Sequence, residues 1–104
     1  MARFDVYANP DSESRATIPF MLDVQSNHLG GMDTRVVVPL FASARFSVRL
    51  PSLNPLLDVS GKAVVMDTAS IGAIPTADLR RPVANITNHQ SEIQDALDTL
   101  FGGY

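Results

Sequence analysis

The sequence predicts a mainly β fold: a strongly curved, antiparallel sheet followed by one C-terminal α-helix. Three observations carry that expectation. Short alternating or β-branched segments recur from residue 3 to about residue 75. A Ser-Gly pair sits between two apolar runs, which is a hairpin signal. The chain's one long apolar stripe at helical spacing lies at its end.

Taken in order, Arg3-Phe4-Asp5-Val6-Tyr7 alternates polar and apolar residues and places Phe4 and Val6 on one face of a first strand. The turn-rich stretch Asn9 to Ser14 ends it. A second strand is expected from Ile18 to Ser26, with Phe20, Leu22 and Val24 on one face and Met21, Asp23 and Gln25 on the other. Asn27 to Asp33, with Gly30-Gly31, reads as a loop. Arg35 to Leu40 is a β-branched run expected to be buried on both faces, with Pro39 ending it or marking an edge. Phe46 to Leu50 alternates and is expected to be a strand, and Pro51 and Pro55 bracket a turn. Leu56 to Val59 and Ala63 to Met66 then form a hairpin about Ser60-Gly61, and a short strand follows at Ile71 to Pro75.

The helix is predicted from Ile93, Ala96, Leu97, Leu100 and Phe101, which fall at i, i+3, i+4, i+7 and i+8. Thr87 and Gln90 fit a capping box with Ile86 ahead of it, and Gly102-Gly103 supplies the stop. Domain organisation follows from length: 104 residues are expected to form a single domain over 1–104.

Composition excludes several classes of function. The chain is 45% hydrophobic but only 18% charged, against an ordinary ~25%. A small domain with so few charges either covers its surface with polar uncharged residues or buries apolar area against another chain. Net charge is −3, with Lys62 the single lysine, so no basic stripe exists to neutralise phosphates and direct nucleic-acid binding is not expected. There is no cysteine, which removes disulfides and thiolate chemistry and suits a reducing cytoplasm. No apolar run approaches the ~20 residues that span a bilayer, and the N-terminus lacks a signal-peptide core. The expected location is cytoplasmic.

No catalytic or metal-binding spacing is present. His28 and His89 form no ligand pair, no glycine loop has phosphate-cradling spacing, and no cofactor is expected. His89 is expected to be a solvated surface residue. Asp23 and Asp67 are expected to face outward or cap turns. The helix carries Glu92, Asp95 and Asp98 along one side, with no basic residue from Asn88 onward. Asp98 lies where the helix dipole disfavours a negative charge by roughly 0.3–1 kcal/mol. An acidic tip suggests a cationic partner, and solubility alone is the plain alternative.

Several ordered stretches resemble the CcdB family, the toxin half of toxin–antitoxin modules. Phe4-Asp5-Val6-Tyr7 is similar to the family's opening strand, and Leu22-Asp23-Val24-Gln25-Ser26 to its DVQS strand. Arg35 to Leu40, followed by Ala42-Ser43-Ala44-Arg45, resembles its R-x-V-I-P-L-A-S-A-R segment with Phe41 as one extra residue. Met66-Asp67-Thr68-Ala69-Ser70 resembles its M-T-T-D-M-A-S strand, and Thr87 to Leu100 mirrors its final helix.

The resemblance implies an SH3-like antiparallel barrel with a small accessory sheet and a C-terminal helix, assembled as a homodimer. It implies a poison rather than an enzyme, which binds the A subunit of DNA gyrase and traps its cleaved-DNA complex until a cognate antitoxin removes it. Nucleic acid would be met only through that antitoxin. By family position the gyrase contacts map to Asp98, Phe101, Gly102, Gly103 and Tyr104 on the helix end, with His28 and Leu29 in the loop after the DVQS strand. Known members end in Trp-Gly-Ile, whereas this chain ends Gly102-Gly103-Tyr104 and lacks the tryptophan that stacks on a gyrase arginine. Either Tyr104 swings round on a flexible glycine pair to supply the aromatic, or the patch has decayed. In the second case the protein is an attenuated homologue that binds antitoxin and co-represses its operon. A third reading is a ribonuclease like the MazF and Kid toxins, which share the barrel.

Overall fold

A computed structural model describes residues 1–103. Seven strands and one helix follow in the order β1 (Asp5–Ala8), β2 (Phe20–Asp23), β3 (Thr34–Ala42), β4 (Leu56–Val59), β5 (Lys62–Met66), β6 (Gly72–Pro75), β7 (Ala84–Asn85) and α1 (Gln90–Phe101). All pairings are antiparallel, in the order β4-β5-β3-β2-β1-β7, with β6 also on β3, and the strands form a nearly closed barrel.

The central strand β3 organises this sheet. Its N-terminal half, from Thr34 to Val37, pairs with β6, and its C-terminal end, from Leu40 to Ala42, pairs with β5 on the same edge. Pro39 falls in the gap between those two partners, so its missing N–H interrupts neither ladder. Its carbonyl still accepts from the Asp67 N–H. Of the two outcomes the sequence allows, the strand does not end at Pro39, which instead marks a stretch of edge left without a strand partner between β6 and β5.

The β4–β5 hairpin turns on Ser60 and Gly61, both with positive φ (51° and 88°), the twist that suits a two-residue hairpin loop. Phe46–Leu50 forms no strand. Its end is drawn into a turn built around buried Asn54: the Leu50 N–H donates to Asn54 Oδ1, the Leu50 carbonyl accepts from the Leu53 and Asn54 N–H groups, the Arg49 side-chain Nε donates to the Asn54 carbonyl, and the Asn54 side-chain amide donates to the Met66 carbonyl. Val48 and Leu50 are left exposed, so alternation here marks no ladder.

Two cores lie on opposite faces of the sheet. The larger holds Phe4, Val6, Leu22, Val24, Val38 and Leu40 with strands β4–β5 and the inner face of α1. Each fully buried side chain of this kind is worth about 1.5–3 kcal/mol. The smaller packs Tyr7 and Val37 against Leu79, with Met21 and Ile74 around them. That second cover corrects the expectation for Asp23. Its side chain is completely buried, and Arg35 Nε and Nη2 donate to its two carboxylate oxygens at 2.8 and 2.9 Å. The strand face on which the sequence places Asp23 is covered by the chain beyond β6 instead of facing water.

The capping box expected at the helix start is also replaced. Thr87 donates its hydroxyl back to Asn85 Oδ1 at 2.6 Å, and its N–H donates to the same oxygen at 3.1 Å. Thr87–His89 becomes a 3-10 turn and α1 begins at Gln90. With its proton committed upstream and no helical N–H donating to it, Thr87 does not cap α1. Among the described residues no helix is long and apolar enough to cross a membrane.

Candidate functional site

The helical spacing buries Ile93, Ala96 and Leu97 and then runs off the end of the core. Leu100 is partly covered, and Phe101 is 70% exposed. An aromatic side chain left in water forgoes roughly 1.5–3 kcal/mol that burial would supply. The residues beyond it form a closed cap. Gly102 takes the left-handed conformation (φ 71°), which costs an L residue about 1–2 kcal/mol but costs glycine little. Its N–H and that of Gly103 both donate to the Asp98 carbonyl, the second at 2.8 Å. The glycine pair is thus the helix stop that the sequence predicts, held by two hydrogen bonds. Tyr104 lies outside the described residues.

Asp98 is half-buried, and its Oδ1 accepts from Gln94 Nε2 at 3.1 Å. Gln94 Oε1 accepts in turn from Arg3 Nη2 at 2.9 Å. Arg3 is itself fixed from three sides. Its Nε donates to the Val24 carbonyl at 3.2 Å, its guanidinium lies 4.7 Å from the centre of the Phe4 ring, and its N–H donates to Asn27 Oδ1 at 2.8 Å. Asn27 opens the 3-10 turn Asn27–Leu29, which Ser26 Oγ caps by accepting from the His28 N–H. His28 and Leu29 on that turn are exposed, and a cleft of about 460 Å³ lined by Arg3, Val24, Ser26, Asn27 and His28 lies beside them.

The loop and the helix end, which the sequence reading kept as two separate segments, are therefore joined by a chain of hydrogen bonds through Arg3. The Gln94–Asp98 link was open to detection, because i and i+4 residues meet on a helix face. Nothing local in the sequence marks Arg3, whose partners lie more than twenty and more than ninety positions away.

Polar groups elsewhere serve the structure. Among the described residues, the Tyr7 hydroxyl and Arg35 Nη1 are buried beside the Asp23–Arg35 pair with no partner at hydrogen-bonding geometry. Burial above all, then the Asp5 and Asp23 carboxylates, push the Tyr7 hydroxyl up to about 12, against the opposing pull of Arg35. His89 is not the solvated residue expected. Its Nε2 accepts from the Asp58 N–H at 3.2 Å and its Nδ1 meets Glu92 Oε1 at 2.9 Å, so it ties the helix start to β4. Asp67 does serve a turn, accepting from the Ser70 hydroxyl at 2.6 Å. Among the described residues no three His, Asp or Glu side chains converge as metal ligands.

The helix end thus presents an exposed aromatic, a capped terminus and an oriented carboxylate, linked to an exposed turn. A protein-family model described as CcdB protein matches residues 3–103, taking in every strand and the helix. With nearly the whole chain matched, and a nearly closed barrel with one C-terminal helix consistent with that fold, the chain belongs to the CcdB family, whose members are the toxins of toxin–antitoxin pairs.

Proposed function

We propose that this toxin poisons DNA gyrase by binding the A subunit through the tip of α1 and the 27–29 turn, with Phe101 as apolar anchor and Asp98 as charged contact. It acts as a cytoplasmic homodimer without chemistry of its own, and a cognate antitoxin neutralises it. The single observation carrying this reading is Phe101, 70% exposed at the end of a helix whose preceding stripe residues are buried. Interface energy concentrates in a few large side chains that a partner desolvates, and Phe101 stands where a partner can do so. Gly102 and Gly103 cap the helix beside this anchor, Tyr104 joins the contact by family position, and His28 and Leu29 provide the second contact.

The test is a gyrase assay scoring trapped cleavage complexes with the wild-type protein and Phe101→Ala. Wild type traps complexes, and Phe101→Ala weakens binding by about 2 kcal/mol, some thirtyfold, with little change in melting temperature. No effect of micromolar wild-type protein on cleavage or supercoiling overturns the reading for that gyrase. Tight antitoxin binding alongside such inactivity identifies the attenuated co-repressor instead.

A further inference from the structure

Asp98 and the 27–29 turn belong to one mechanical unit, and the link has a direction. From the turn, Asn27 Oδ1 holds the Arg3 N–H, Arg3 Nη2 holds Gln94 Oε1, and Gln94 Nε2 holds Asp98 Oδ1, at 2.8, 2.9 and 3.1 Å. Each member is a donor to the next along that path from Arg3 onward, so the Gln94 amide has one useful orientation: carbonyl toward the guanidinium, amino group toward the carboxylate.

We propose that Arg3 and Gln94 are positioning residues for partner binding, which hold Asp98 as an oriented anion in register with the 27–29 turn. The partner then meets a fixed two-segment surface and must offer a cationic group, guanidinium or ammonium, to Asp98. This rests on the tip reading above and deepens it.

Three features favour a binding role over a simple tether. Arg3 reaches Asp98 only through a neutral amide, so the carboxylate is aligned by one hydrogen bond and not neutralised by an ion pair. Among the described residues Asp98 Oδ2 accepts no hydrogen bond, which leaves it to a ligand. The glycine cap closes on the same residue, with the Gly102 and Gly103 N–H groups on the Asp98 carbonyl and Gly103 packed against the Asp98 Cβ, so the cap and the carboxylate share one site. An oriented, incompletely satisfied carboxylate at the C-terminal end of a helix is disfavoured in the free protein. A cation on the partner removes that cost.

The experiment uses the full chain and the purified A subunit of gyrase. Binding is measured calorimetrically for wild type, Arg3→Met, Gln94→Glu, Asp98→Asn and the Arg3→Met/Asp98→Asn double variant. Amide NMR spectra of the free proteins are recorded alongside. Arg3→Met and Asp98→Asn each weaken binding about tenfold, and the double variant is no weaker than the weaker single. Arg3→Lys recovers part of the loss. Gln94→Glu, which keeps the link to Arg3 but sets a carboxylate against Asp98, is as poor as Asp98→Asn. Wild-type affinity falls more steeply with salt than that of Asp98→Asn.

In the free protein, Arg3→Met shifts the Leu29 and Gly103 amides and the Gln94 side-chain amide together. Additive losses in the cycle, or an unmoved Gly103, overturn the positioning role. Equal salt slopes overturn the cationic partner group. Absence of gyrase binding by wild type overturns the proposed function, while the NMR comparison still decides the relay.

Discussion

Asp23 and Asp98 are both aspartates held by hydrogen bonds from a longer polar side chain, yet they do opposite work. Asp23 is sealed between two strands and receives two donors from Arg35, so its charge is matched inside the protein. Asp98 is half-buried at a helix end and receives one donor from a neutral glutamine, with the matching charge of Arg3 held one side chain away. A charge out of water must be fully paired where it is buried. A charge meant for a partner can be aligned first and matched later. The difference separates a residue that supports the barrel from one half-exposed at the helix end, where the proposed partner would meet it.

The largest test of the contrast removes the partner in each case. Arg35→Met leaves Asp23 buried and unpaired, and is expected to cost about 3–5 kcal/mol in urea unfolding, whereas Gln94→Ala costs under about 1 kcal/mol. Replacing Asp23 and Arg35 together by apolar residues of similar volume costs less than Arg35→Met alone. Equal losses for Arg35→Met and Gln94→Ala break the comparison.

Next in size is the alkaline limb of stability, which reports the polar core around Asp23. Tyr7 titrates near 12 in the folded chain and near 10.0 unfolded, so its contribution is complete below pH 10 and is lost as pH rises towards 12. The loss amounts to roughly 2–3 kcal/mol. Denaturant unfolding across that range measures it. Tyr7→Phe abolishes the slope and, because the hydroxyl meets no described group at hydrogen-bonding geometry and the Asp5 carboxylate only lies near it, changes stability at neutral pH little.

The smallest effect belongs to the tip. Gly102→Ala places a Cβ in open space but at φ 71°, so it costs about 1–2 kcal/mol from the backbone alone, read as a lower melting temperature. It also weakens gyrase binding further than that loss of stability accounts for, because it loosens the cap beyond Phe101. An unchanged melting temperature removes the cap from the argument.

Most of the sheet was legible because its signals are local. Alternation and β-branching marked β1 to β3, two turn residues marked the β4–β5 hairpin, and a 3.6-residue stripe marked α1. The same local signals misled at Phe46–Leu50 and at the Thr87 capping box. In each place a side chain from nearby, Asn54 or Asn85, captured the backbone or hydroxyl groups that the expected element needed. Whether Pro39 ends its strand or marks an edge depends on which strands flank it, and here it marks the gap between β6 and β5. Of the candidate site, Asp98 and Phe101 could be placed on the helix end, and His28 and Leu29 in their loop. The link between them could not, since Arg3 is joined to Val24 and Gln94 by the closure of the sheet against the helix.

The sequence by itself determined the strand-rich order, the single terminal helix, the stop at Gly102 and the acid near the tip. Each depends on spacing within a few residues, where covalent geometry sets which side chains share a face. Only the tertiary structure decided that Asp23 is an interior charge and Asp98 an outward one, that His89 joins β4 to α1, and that Arg3 ties the loop to the helix end. Those are questions of what covers a face and which distant groups it brings within hydrogen-bonding distance, and burial of that kind is settled only when the whole chain packs.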